Sequence, residues 1–137
     1  MRDVFIRLVR LGVELSEEIS IPIEMDWTEL KALADQQGLS AVMLDGLNTV
    51  YGEGLTVNDS MPQVLRLEWI GEVLQGEQTY KQHQKVAMDM ASLFHRNGIR
   101  TYVLKGRIVA ECYPKPEHRV SSDMDCYLLP IQGEFDA

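Results

Sequence analysis

Asp123 and Asp125 stand one residue apart at the head of the apolar run "DMDCYLL". Side chains alternate along a strand, so both carboxylates would face one side, about 7 Å apart, with Met124 and Cys126 on the other. Carboxylates that close repel unless a cation sits between them. A divalent ion with hard oxygen preferences, Mg²⁺ or Mn²⁺, meets that need and leaves room for the phosphates of a substrate. Upstream, the β-rich stretch "IRTYVL" runs into Lys105-Gly106. A glycine at a strand-to-helix turn lets backbone N–H groups approach an anion, and a lysine beside it adds a point charge. The competing reading is bland: a solvated acidic pair on an edge strand, next to a basic surface.

Several elements must hold these groups in place. Val4, Leu8, Leu11 and Leu15 recur at helical spacing and predict a helix over 1–19, broken by Pro22. In "MDWTELKALADQQG", Asp26 can cap a second helix. Glu29 then completes a capping box, Met25 staples to Leu30, and Gly38 ends the element. Ser40 is the expected cap of a third helix ending near Gly52, and the two should pack as an antiparallel hairpin. Ser60, Pro62 and Gln63 open a long helix to about His95, with Val86, Met90, Leu93 and Phe94 on one face. Its polar middle, "QGEQTYKQHQK", predicts a bend or an exposed section. Beyond Asn97-Gly98 the period changes. A strand leads to Lys105-Gly106, then two helical turns in "RIVAECY", a loop "PKPEHRVSS", and a second strand from Asp123. The expected class is α+β: a helical region over 1–97, then from 98 to 137 the beginning of a sheet domain with two strands.

An apolar share of 45% with 25% charged residues places the chain among globular domains rather than disordered ones. No run approaches the roughly 18 apolar residues of a membrane span. Charges interrupt the N-terminal apolar positions, unlike a signal peptide, so a cytoplasmic location is expected. Cys112 and Cys126 fit no metal spacing and are expected as free thiols, while His83 and His95 stand alone on a helix. A net charge of −8 argues against binding long nucleic acid. Its distribution is uneven. Lys81, Lys85, Arg96, Arg100, Lys105, Arg107, Lys115 and Arg119 face only Asp89, Glu111 and Glu117, a local +5 that leaves −13 elsewhere. A solvated face accounts for most such runs; a site for a compact polyanion, such as a triphosphate, also accounts for its position around Lys105-Gly106.

Leu104-Lys105-Gly106, Tyr113-Pro114, Arg119 and Asp123-Met124-Asp125 together resemble the pattern of the uncharacterised nucleotidyltransferase family of bacteria and archaea. The phrase from Trp27 to Gly38 also resembles that family's N-terminal region. The resemblance implies the start of a DNA-polymerase-β-like nucleotidyltransferase fold. Lys105 and Gly106 stand where that superfamily usually has Gly-Ser or Gly-Gly, and with Arg107 they would bind the nucleotide's phosphates. Asp123 and Asp125 would be the catalytic carboxylates, holding two Mg²⁺ (or Mn²⁺) ions. One ion would activate an acceptor hydroxyl and the other would hold the NTP, giving in-line transfer of a nucleoside monophosphate. Arg119 would neutralise phosphate or simply pair with the aspartates, and Tyr113-Pro114 would close the short helix.

That superfamily usually places a third carboxylate on a later strand, and only "PIQGEFDA" follows the second strand here. The expectation is therefore an N-terminal portion of a longer protein, inactive alone, with a sheet edge open to a second copy. Two rivals differ in class. Glycosyltransferases also use Asp-x-Asp, but there it tends to close a strand after an apolar run, whereas here it opens one. A helical interaction or oligomerisation module with solvated aspartates needs no nucleotide at all.

Overall fold

The computed structural model describes residues 1–55, 60–104, 106–120 and 124–131, and only the backbone at 106 and 107. Its elements are α1 (Arg2–Gly12), α2 (Trp27–Gln37), α3 (Ser40–Tyr51), α4 (Gln63–Arg96), β1 (Ile99–Leu104), α5 (Gly106–Ala110) and β2 (Asp125–Pro130). Short 3₁₀ turns occupy Glu53–Leu55 and Pro116–His118. The class is α+β, with β1 and β2 forming an antiparallel two-stranded sheet. No helix among the described residues is long and apolar enough to cross a membrane.

The first helix buries Val4 and Leu8 as their spacing predicts, but it stops at Gly12 instead of continuing to 19. Glu14 takes a left-handed backbone (φ 64°) and Leu15 is exposed. The chain then turns back, so Glu17 accepts from Arg7 (3.1 Å) and Arg10 (2.5 Å). Ion pairing to α1, not apolar periodicity, sets the path beyond Gly12. Helices α1 and α3 meet where neither has a side chain. A Cβ on Gly12 would lie 2.0 Å from the Val42 carbonyl oxygen, and one on Gly46 would lie 2.1 Å from that of Leu8.

The caps of α2 form as expected. Asp26 accepts from the Glu29 backbone N–H (2.9 Å), and Gly38 adopts the left-handed conformation (φ 66°) that ends the helix. The caps expected at Ser40 and Ser60 do not. Leu39 precedes the first turn of α3, and the Ser40 hydroxyl bonds Asp35 instead. Pro62 occupies the cap position of α4, while Ser60 Oγ accepts from the Trp27 indole N–H (3.2 Å). A buried indole must find an acceptor, and that need outweighs a local cap. The Trp69 indole likewise donates to the Ser40 carbonyl (2.9 Å). Both rings belong to one core with Leu8, Leu30, Met43, Leu47 and Leu55.

Helix α4 runs unbroken for 34 residues, about 51 Å at 1.5 Å per residue. Its middle is largely exposed, in line with its polarity, but its inward face is not the expected one. Val86 and Leu93 are 56% and 51% exposed, whereas Ala87 is buried and Met90 and Phe94 are half-buried. The inward stripe runs Trp69, Val73, Glu77, Tyr80, Gln84, Ala87, Phe94, at spacings of three and four except across the last interval. The helix packs against β1. The short helix α5 spans five residues, less than the two turns expected of "RIVAECY".

Overpacking at the helix crossing should be costly. Gly46→Ala is expected to destabilise the protein by about 1–3 kcal/mol, because the α1 backbone must move away. Gly71→Ala, where a Cβ meets nothing within 4 Å, should be neutral or stabilising by up to about 1 kcal/mol from helix propensity. Urea denaturation followed by circular dichroism separates the two; equal effects would contradict the close crossing.

Candidate functional site

The register pairs Ile99 with Pro130 and, at the other end, Leu104 with Asp125. The Lys-Gly end of β1 and the Asp-x-Asp end of β2 therefore meet at one end of the sheet. Residues paired across an antiparallel sheet share a face, so Asp125 lies with Leu104, Tyr102 and Tyr127. That face is exposed; the alternate positions Val103 and Cys126 are half-buried. Gly106 begins α5 directly after the strand. Lys105 and Asp123 lie outside the described residues, as does the side chain of Arg107. Arg119 is half-buried, next to the 3₁₀ turn.

Beneath the sheet end is a cavity of about 220 Å³ between α4, β1 and the 3₁₀ turn. Val73, Tyr80, Val103, Ala110 and Met124 give it an apolar lining, and Glu117, His118 and Arg119 close one side. Leu104 and Met124, which also line it, adjoin Lys105 and the aspartates in sequence.

His118 is the most connected polar residue of this region, and sequence reasoning passed over it inside a loop. It is only 5% exposed. Its Nδ1 lies 2.5 Å from Asp45 Oδ2 on α3, and its Nε2 lies 2.6 Å from Glu77 Oε1 on α4. Both ring nitrogens can donate only when the imidazole is protonated. Burial opposes that charge, but bonds and attraction to Asp45 and Glu77 prevail and raise the pKa above the ordinary histidine value. Lys115 Nζ adds a 3.1 Å contact to the other oxygen of Asp45. Through these contacts the connection between Lys-Gly and Asp-x-Asp is fastened to two helices. One signal in the sequence marked the site: Glu77 interrupts the inward stripe of α4 between Val73 and Tyr80, where an apolar residue would be ordinary.

A family model described as uncharacterised nucleotidyltransferase matches residues 24–132, most of the chain. The chain belongs to that family. No curated protein and no solved structure matches it. The match covers α2 through β2, and so contains both ends of the sheet site and the His118 clamp. Nucleotidyltransferase membership implies an NTP substrate, and this family usually works with a divalent metal. Asp125 opens β2 on the exposed face, beside the end of β1.

The clamp should make stability depend on pH. His118 has a raised folded-state pKa, so its charge stabilises fully below the unfolded value of about 6.5 and is lost as pH rises through the folded value. In the presence of chelator, His118→Gln should cost about 3–5 kcal/mol at pH 6, as when one member of a buried ion pair is removed. The deficit should shrink towards pH 9. Thermal denaturation of both chains across that range measures it, and a deficit independent of pH would refute a charged His118.

Proposed function

We propose that the joined ends of β1 and β2 are the NTP- and Mg²⁺-binding part of a site that transfers a nucleoside monophosphate to an acceptor hydroxyl. The observation that carries the reading is the Leu104–Asp125 pairing within a nucleotidyltransferase-family chain. That pairing brings the end of β1, which leads in sequence to Lys105-Gly106, to the start of β2 at Asp125, and so supports reading the two strand ends as one site. The rival module with solvated aspartates gives no reason for that pairing.

In this reading Asp123 and Asp125 hold the metal, and Lys105, Gly106 and Arg107 receive the phosphates. Bound Mg²⁺ supplies Lewis-acid neutralisation of the triphosphate and favours ionisation of the attacking hydroxyl. The strand fixes where the Asp125 carboxylate stands, because its backbone is held in register against Leu104. The Lys105 ammonium offsets charge on the phosphates, and the Gly106 backbone admits them closely because no side chain intervenes. Arg119 lines the cavity beneath the strand ends, which supports a role in offsetting charge on the nucleotide's phosphates.

Calorimetric titration with ATP, GTP, CTP and UTP in Mg²⁺ or Mn²⁺ tests this. Metal-dependent binding of at least one NTP is expected. It should weaken at least about tenfold in Asp123→Asn/Asp125→Asn, with folding of the variant checked by circular dichroism. Binding that needs no metal, or that survives the double substitution, would overturn the assignment.

A further inference from the structure

The clamp around His118 contains more negative charge than one imidazolium can answer. Asp45, Glu77 and Glu117 converge on it, and Lys115 returns one positive charge. Glu117 makes no hydrogen bond or ion pair among the described residues, yet its carboxylate lies within 4.8 Å of both His118 and Glu77. With His118 protonated the group keeps a net negative charge, half out of water. A divalent ion bound to neutral imidazole would bring it to zero.

The geometry fits such an ion. Metal-bound histidines usually donate their second ring N–H to a carboxylate, and Asp45 already holds Nδ1 at 2.5 Å. That leaves Nε2 facing Glu77 at 2.6 Å, with Glu117 close by. Ligand atoms on a tetrahedral zinc stand about 3.4 Å apart, given bonds of about 2.1 Å. The present separations, from 2.6 Å to at most 4.8 Å, bracket that value. Glu117 and His118 both line the cavity, so a fourth position would open onto it. We propose that His118 Nε2, Glu77 and Glu117 form a second metal site, selective for Zn²⁺-class ions, with Asp45 orienting the imidazole. Its donor set of one nitrogen and two oxygens suits zinc, whereas the all-oxygen Asp123/Asp125 pair suits magnesium. The ion takes the place of the Nε2 proton and locks the turn at Pro116–His118 to α4.

The test is calorimetric titration of Zn²⁺ and Mg²⁺ into the full chain carrying Asp123→Asn/Asp125→Asn, which removes the other carboxylate pair. One Zn²⁺ per chain is expected, with no Mg²⁺ bound and a rise in melting temperature on adding Zn²⁺. His118→Gln should abolish binding, while His83→Gln and Cys112→Ser should leave it unchanged. Glu117→Gln is the decisive variant, because it leaves the Asp45–His118–Glu77 bonds intact and so should fold. It should weaken Zn²⁺ at least about tenfold and remove the thermal shift. Absence of Zn²⁺ binding, or equal affinity in Glu117→Gln, would mean the clamp holds only a proton.

Discussion

The imidazole of His118 between Asp45 and Glu77 is the contact on which the site region depends. A two-stranded sheet is marginal on its own, and β1 and β2 are joined through a long connection whose closure costs entropy. Among its described residues the connection has few apolar anchors: Ala110 is buried, but Ile108, Val109 and Val120 are exposed. What fixes it is polar. One ring links the 3₁₀ turn to α3 and α4 at once, and Lys115 repeats the link to Asp45. Removing either carboxylate would leave a buried cation half-answered, which costs more than the intact pair contributes.

That clamp works only because the helices it grips are themselves rigid. Two tryptophans anchor them through opposite requirements met together. Their rings fill the core beside Leu30, Met43 and Leu47, while each indole N–H reaches an oxygen at the start of another element. Lys31 plays a similar part on the other flank of α4. It is almost buried, and burial opposes its charge. Bonds to Asp35 and Glu72 prevail and raise its pKa above the usual lysine value. Ion pairs thus position α4 at two heights, at Glu72 towards α2 and at Glu77 towards the turn.

Much of the local structure was legible in the sequence because its causes are local. The Asp26 cap, the Gly38 stop and the change of period after Gly98 each need only neighbouring residues. The nucleotidyltransferase resemblance was legible too, since order and spacing carry it. What escaped reading depends on distant partners. Leu15 continues the helical spacing of α1, but Glu17 is drawn back to Arg7 and Arg10. Ser60 resembles a cap until a tryptophan 33 residues away claims it. His118 sat in an apparent loop, and its partners lie 73 and 41 residues upstream. Val86 and Leu93 are hydrophobic enough for a core, but the inward stripe of α4 passes through the smaller Ala87 instead.

The uneven charge of the chain takes on a different meaning once the basic residues are placed. The stretch from Lys81 to Arg119 is not one phosphate-binding surface. Lys115 is engaged with Asp45, so it offsets an internal carboxylate rather than a ligand. Arg100 lies on the exposed sheet face but pairs across with Leu129, four positions from Leu104 and about 13 Å away by strand rise. Lys81 and Lys85 are exposed on α4. Of the placed lysines and arginines of this stretch, Arg119 is the one on the wall of the cavity beneath the joined strand ends. The local positive charge is therefore divided: Lys115 balances an acidic helix, Lys81 and Lys85 face solvent, and Arg119 stands on the cavity wall. An acidic protein can hold a polyanion under these terms, because a metal at a carboxylate pair supplies positive charge that the side chains do not.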